Sequence, residues 1–251
     1  MDVILLIFIY FFAFFVVGTI IKNNSIVDIG WGIGFVVVAT YCWWTRQPVP
    51  VPVTVMTILV AIWGLRLFYH IIRRNWGKPE DFRYANWRKE WGSQVIPRAF
   101  LQVYMTQAIF MYVVALGIVF AGKDPSLWNP SMTILGMLVW FVGFFFEAVG
   151  DWQLEEFKKD PNNKGKLMTS GLWKYTRHPN YFGESVLWWG IYLLSRASGA
   201  PFWVIISPAV ITYLLVFVSG VPMLERSMMK RPGFKEYAEK TSIFFPWFPK
   251  K

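Results

Sequence analysis

Seven largely apolar stretches, near residues 3–21, 31–45, 51–69, 99–121, 131–150, 182–195 and 202–222, decide most of what this chain can fold into. Each approaches the ~20 residues that a helix needs to cross a hydrocarbon core, although the second and sixth are short. With no water inside that core, a run of this length must close its own backbone hydrogen bonds, as a helix does. The expectation is an all-α, polytopic membrane protein of about seven transmembrane helices with basic cytoplasmic loops. Composition agrees, since 55% of residues are hydrophobic, 20% are aromatic and 16% are charged, against roughly 25% charged in a soluble domain.

The cations are not spread evenly. Positions 71–97 carry six Lys and Arg, 151–179 carry six and 220–251 carry seven, while the other connections carry about one each. Loops rich in Lys and Arg stay on the cytoplasmic side. With seven crossings the three basic regions fall on one face, which puts the N-terminus outside and the C-terminus in the cytoplasm. The net charge of +10 then reads as affinity for anionic lipid or a phosphate-bearing ligand, not for nucleic acid. The sequence starts Met1-Asp2 and turns apolar at once, without a basic leader or a small-residue cleavage site, so the first window reads as a retained helix. One cysteine, Cys42, rules out an internal disulfide.

No stretch resembles a linker between globular domains, and the polar segments 71–98 and 151–180 are too short to fold alone. The chain reads as one membrane domain, with N-terminal helices and a basic loop over 1–98 and a second region over 99–251. Residues 48–52, Pro-Val-Pro-Val-Pro, form a stiff connector. Residues 73–92 and 223–251 mix aromatics with both charge signs, which suits ordered segments at the lipid–water boundary.

Polar groups at membrane depth are expensive and mark function or a specific partner. Asp28 lies beside Gly30, Gly32 and Gly34, a trio that lacks a preceding strand and fits close helix packing, not phosphate binding. Arg66 and His70 are four residues apart, as are Glu147 and Asp151, and Gln102 and Gln107 lie in the fourth window. Arg66 fits either a snorkelling cation or an ion pair with Asp28. Glu147 and Asp151 fit either a functional pair or solvated acids at a helix end.

The densest chemistry lies in Gly171-Leu172-Trp173-Lys174-Tyr175-Thr176-Arg177-His178-Pro179-Asn180-Tyr181-Phe182-Gly183-Glu184. Pro179 biases His178 away from helical geometry and can begin a helix, which sets Asn180 and Glu184 one above the other. Capping accounts for Asn180 but not for a carboxylate one turn deeper. No metal site is expected: His70 and His178 are far apart, the cysteine is alone, and no HExxH, CxxC or GxSxG occurs.

Asp151, Lys158, Gly171-Leu172-Trp173 and Asn180-Tyr181-Phe182-Gly183-Glu184 follow one another as in a known pattern. On these residues, and on the closing run from Glu225-Arg226 through Tyr237 to Phe-Pro-Trp-Phe, the whole chain resembles the steroid 5-alpha-reductase-like membrane reductases, in their bacterial branch. The resemblance implies a bacterial inner-membrane enzyme acting on CH–CH groups, with NADPH in a cavity open to the cytoplasm. It implies that Arg74, Lys78, Lys158, Lys166, Arg177 and Arg226 neutralise phosphates and that Asp151, Asn180 and Glu184 hold sugar and amide groups. Tyr175, His178 and Tyr181 complete the implied cofactor segment. Hydride would add to a hydrophobic enone of steroid or isoprenoid type while an acid polarises the carbonyl. The N-terminal half departs from the pattern. The family's Gln-Glu pair is missing, Asp28 is the nearest carboxylate, and His70 stands where the family has a Tyr. The implied catalytic set is therefore Asp28, His70 and Tyr84.

Leu167-Met168-Thr169-Ser170-Gly171, leading to Arg177-His178-Pro179-Asn180-Tyr181, also resembles membrane methyltransferases of the isoprenylcysteine carboxyl and phospholipid type, which bind S-adenosylmethionine. Asn180 with Glu184, Asp151 with Lys158, and the two helices and basic loop ahead of the shared region favour the reductase. A third reading is a non-enzymatic lipid-binding or transport protein, although the internal repeats usual in transporters are not visible.

Overall fold

The computed structural model describes residues 2–122 and 124–250, and the regular elements among them are helical. α1 (Val3–Ile20) begins where the Asp2 carboxylate accepts a hydrogen bond from the amide of Ile4. α2 (Ile26–Trp44) starts five residues before its apolar window, and α3 (Val51–Asn75) runs past its window to a basic last turn at Arg73 and Arg74. Cations there suit the negative end of the helix dipole. The polar α4 (Phe82–Trp91) is capped by Asp81, which accepts from the Arg83 amide at 3.0 Å.

The fourth window is a composite. α5 (Val95–Ala99), a π-helical turn over Phe100–Met105, α6 (Thr106–Val114) and α7 (Leu116–Val119) follow one another. α8 (Pro130–Lys159) outruns its apolar window by more than two turns, and α9 (Pro179–Ala197) has no exposed residue along its length. The last window breaks into α10 (Ile206–Tyr213), a π-helical turn over Leu214–Val218 and, past Gly220, α11 (Val221–Met228); α12 (Phe234–Lys240) follows.

Five segments are long and apolar enough to cross a membrane: Val3–Ile20, Ile26–Trp44, Val51–Asn75, Pro130–Lys159 and Phe202–Met228. They are compatible with an integral membrane protein. Each of the seven windows is helical, but two do not satisfy length and hydropathy for a crossing: the fourth is broken by its π turn, and α9 carries Glu184 and Arg196 among its apolar residues.

The chain divides into two compact units, Met1–Asn129 with Leu194–Val204, and Pro130–Leu193 with Ile205–Lys251. In the first, the glycine trio packs helices as expected: a Cβ on Gly32 would lie 2.4 Å from the carbonyl oxygen of Gly64 in α3, and one on Gly34 2.3 Å from Met111. At one end of this unit the buried Arg46 donates to the carbonyls of Ile118, at 2.7 Å, and Val119, which supplies cationic partners to the end of α7. At the other end Tyr104 donates to Asn24 at 3.2 Å, and the Asn24 amide donates to Glu80 at 2.6 Å.

The second unit is built on a glycine seam. The buried positions of α8, Thr133, Gly136, Trp140, Gly143, Glu147 and Gly150, alternate at intervals of three and four, with Asp151 buried next to the last, while Leu135, Leu138, Phe141, Val142 and Phe145 are exposed. Such spacing makes a narrow seam on one side of a helix. A Cβ on Gly143 would lie 2.3 Å from the Leu187 amide, one on Gly183 2.3 Å from the Glu147 amide, and one on Gly190 2.6 Å from the Trp140 amide. The backbones of α8 and α9 touch over two heptads, the arrangement small residues permit in membranes.

Candidate functional site

The seam delivers the motif residues to one place in the second unit. Gly150 sits against Pro179, and one residue on, Asp151 accepts a hydrogen bond from the Asn180 amide nitrogen at 3.0 Å. The turn Gly171–Lys174 docks on the same end of α8: Gln153 accepts from the Leu172 amide at 2.9 Å, and the Trp173 indole donates to the Gly150 carbonyl at 3.0 Å. Gly171 adopts a positive φ of 59° where Gln153 crowds it, a conformation that glycine takes without strain.

Arg177 is 9% exposed in its side chain and is held by hydrogen bonds on three sides. Its Nε and Nη2 form a fork to Glu225, both at 3.0 Å, while Nη1 donates to the carbonyls of Ala238 and Thr241 at 2.8 and 2.7 Å. That fork is the strong, direction-specific form of a charge pair. Glu225 also meets His178 Nε2 at 2.8 Å. A carboxylate only accepts, so Nε2 carries a proton. Nδ1 is buried and has no hydrogen-bond partner among the described residues, and the ring lies flat against Tyr181, with centroids 5.6 Å apart. Tyr237 closes this side by donating to the Trp173 carbonyl at 2.5 Å, and burial pushes its hydroxyl above the usual range, so it stays a donor.

A second polar cluster forms in the first unit. Tyr84 donates to Asp28 Oδ1 at 2.7 Å, and Arg83 reaches Asp28 Oδ2 at 3.0 Å and Asp81 at 2.9 Å. Burial, reinforced by the neighbouring Asp28 carboxylate, raises the Tyr84 hydroxyl well above its ordinary range. Glu80 is forked by Arg88 at 2.9 Å on both arms, and the Asp81 amide donates to Ser25. The cluster ties α4 to the turn between α1 and α2.

The structure thus brings Asp28 to Tyr84, Asp151 to Asn180, and Arg177 and His178 to a shared Glu225. His70 is half-buried on α3, and Glu184 is half-buried on α9, one turn past Asn180. Tyr175 packs edge-on to Phe248. Arg74, Lys78, Lys158, Lys166 and Arg226 are exposed. Glu147 and Asp151 are 3% and 8% exposed, so they are buried seam residues, not solvated helix-end acids. Glu225, Trp173 and Tyr237 were not among the residues singled out for the site. The signal for Glu225 was its place in the closing run; that it serves both Arg177 and His178 follows only from the fold.

The donor set suits a polar organic ligand. Asp151 and Asn180 bring a carboxylate acceptor and an amide donor together, beside a motif whose buried His178 Nδ1 has no hydrogen-bond partner among the described residues.

No solved structure matches this chain. It is 24% identical over 218 residues to an uncharacterized protein of Schizosaccharomyces pombe, covering 76% of this chain and 62% of the relative. A second uncharacterized protein of that yeast is 27% identical over 120 residues, covering 40% of this chain and 43% of the relative. The probable O-methyltransferase ustE of Ustilaginoidea virens is 39% identical over 70 residues, or 28% of this chain and 24% of that protein. The chain spans less than two thirds of each of these relatives. The family described as "Protein of unknown function (DUF1295)" matches residues 14–241, nearly the whole sequence, and the chain belongs to that family, which includes steroid 5-alpha-reductase-like proteins.

Proposed function

We propose that the chain is a membrane-embedded, NADPH-dependent reductase acting on the conjugated C=C of a hydrophobic, enone-like substrate. One observation supports the reading: Asp151 and Asn180, one from each of the pairs Asp151–Lys158 and Asn180–Glu184 that favour the reductase, are joined by a hydrogen bond at the α8–α9 seam. When bound, the reduced nicotinamide supplies the hydride for the β-carbon of the enone. The chain's own residues bind and orient. Asn180 and Asp151 offer a donor and an acceptor to sugar or amide groups, His178 Nδ1 offers a buried polar contact, and the exposed Lys158, Lys166 and Arg226 offer charge to phosphates. By the resemblance, the proton-delivering acid comes from among Asp28, His70 and Tyr84, of which Tyr84 donates to Asp28 at 2.7 Å. Seven crossings, with the basic loops in the cytoplasm, belong to the same reading.

The second reading is an S-adenosylmethionine-dependent methyltransferase, favoured by the 39% identity over 70 residues to a probable O-methyltransferase. Titration of the purified, full-length protein with NADPH, NADP and S-adenosylmethionine separates the two. Ligands that bind only the folded state raise the melting temperature with concentration. NADPH and NADP are expected to do so; stabilisation by S-adenosylmethionine alone overturns the reductase reading and establishes the second.

A further inference from the structure

The last segment of the chain is tied by its backbone to the motif, while its side chains face outward. The Arg177 amide donates to the Ser242 carbonyl at 2.8 Å, Thr176 Oγ1 to the Phe244 carbonyl at 2.8 Å, and the Trp247 amide to the Tyr175 carbonyl at 2.9 Å. The Lys250 amide then returns to the Lys240 carbonyl at 2.9 Å. Thr241 and Phe244 turn inward, 6% and 5% exposed, with Phe244 against Phe182. Phe245, Trp247 and Phe248 are 71%, 73% and 76% exposed, which makes a ledge of large aromatics with no protein over it among the described residues.

The composition around that ledge identifies what covers it. Lys174 of the 171–174 turn, Lys235 and Lys240 of α12 and Lys250 are exposed, outnumbering the exposed Glu236 and Glu239 of α12, and the Lys240–Lys250 backbone bond brings two of the lysines together. Aromatic rings with one wet edge favour the headgroup layer of a bilayer, and lysines beside them favour anionic headgroups. An apolar protein partner would not account for the lysines, and a free anion would not account for the rings.

We propose that Thr241–Lys250 is an interfacial strap whose aromatic ledge seats among anionic lipid headgroups, and that an anionic bilayer surface thereby holds the Arg177–His178–Glu225 cluster in place. The strap's amide and carbonyl bonds to residues 175–177 are the mechanical link. Near an anionic surface each of Lys240 and Lys250 adds about a fivefold preference. The lipid contact does not depend on which cofactor the protein binds.

Hydrogen exchange on the full chain in nanodiscs, phosphatidylcholine alone against phosphatidylglycerol-rich, tests this. Protection of the Arg177 and Trp247 amides is expected to rise at least fivefold in the anionic discs, while the Asn129 amide, bonded to Ala197 in the other unit, stays the same. The double variant Lys240→Gln/Lys250→Gln, altered only at exposed sites, is expected to lose that difference. Brominated lipid should quench the wild type more than Trp247→Phe. Equal protection in both discs, a lipid dependence that survives the double variant, or no quenching difference overturns the proposal.

Discussion

At the scale of single residues, Glu225 does the most. It balances the Arg177 guanidinium through a two-armed fork and fixes the proton of His178 on Nε2. Arg177 in turn satisfies the carbonyls of Ala238 and Thr241. Removing one member of a buried pair leaves the other charge without compensation, which costs about 3–5 kcal/mol. Glu225→Gln keeps the shape and one acceptor, so the expected loss sits near the low end, about 3 kcal/mol. Denaturant unfolding in detergent micelles reads it directly. A loss below about 1 kcal/mol would mean that the pair is a surface contact and that the two carbonyl bonds alone hold Arg177. The sequence placed Arg177 and His178 at the site but gave Arg177 to cofactor phosphate. Its partner lies 48 residues away, and no local pattern links the two.

At the scale of elements, α8 and α9 meet where there is room for no side chain. Adding a methyl group at Gly143 or Gly183 would bring it within 2.3 Å of a backbone amide of the other helix. Overpacking of that kind costs about 1–3 kcal/mol, because backbone and not a flexible side chain must move. Gly143→Ala and Gly183→Ala are each expected to lower the melting temperature and to weaken ligand stabilisation, since the seam sets the Asp151–Asn180 distance. Leu138→Ala, on the exposed side of the same helix, should fall within about 0.5 kcal/mol of wild type. Equal effects at Leu138 and Gly143 would show that α8 makes no tight seam. The helices themselves were legible from hydropathy, and the trio Gly30, Gly32 and Gly34 was read correctly as packing. Gly136, Gly143 and Gly150 carry the same message at seven-residue spacing, but a hydropathy window averages over which side a residue faces. The window extents also shifted, because a polar first turn such as that of α2 and a basic last turn such as that of α3 extend a helix beyond its apolar core.

At the scale of the whole molecule, the open quantity is how many times the chain crosses the bilayer. Five segments satisfy length and hydropathy. Five crossings and seven crossings both put the termini on opposite sides, so the termini cannot distinguish them. The loops can. If the 95–119 run and α9 do not cross, the basic segment 151–179 lies on the outer face, against the rule that places Lys and Arg inside. The first unit argues for a crossing by the 95–119 run. Tyr104 bonds to Asn24 at the start of α2, and Ile118 and Val119 bond to Arg46 just past its end, so the run spans the length of that helix. Cys42 is buried, and in a Cys42→Ala background a single introduced thiol reports its side. Asp124→Cys is expected to react with an impermeant maleimide added to intact cells, and Lys166→Cys only after permeabilisation. Both positions are exposed, so access to the reagent depends on the side of the membrane alone. The reverse pattern at both establishes five crossings and moves the motif of residues 171–184 to the outer face, where a cytoplasmic nicotinamide cofactor does not reach it.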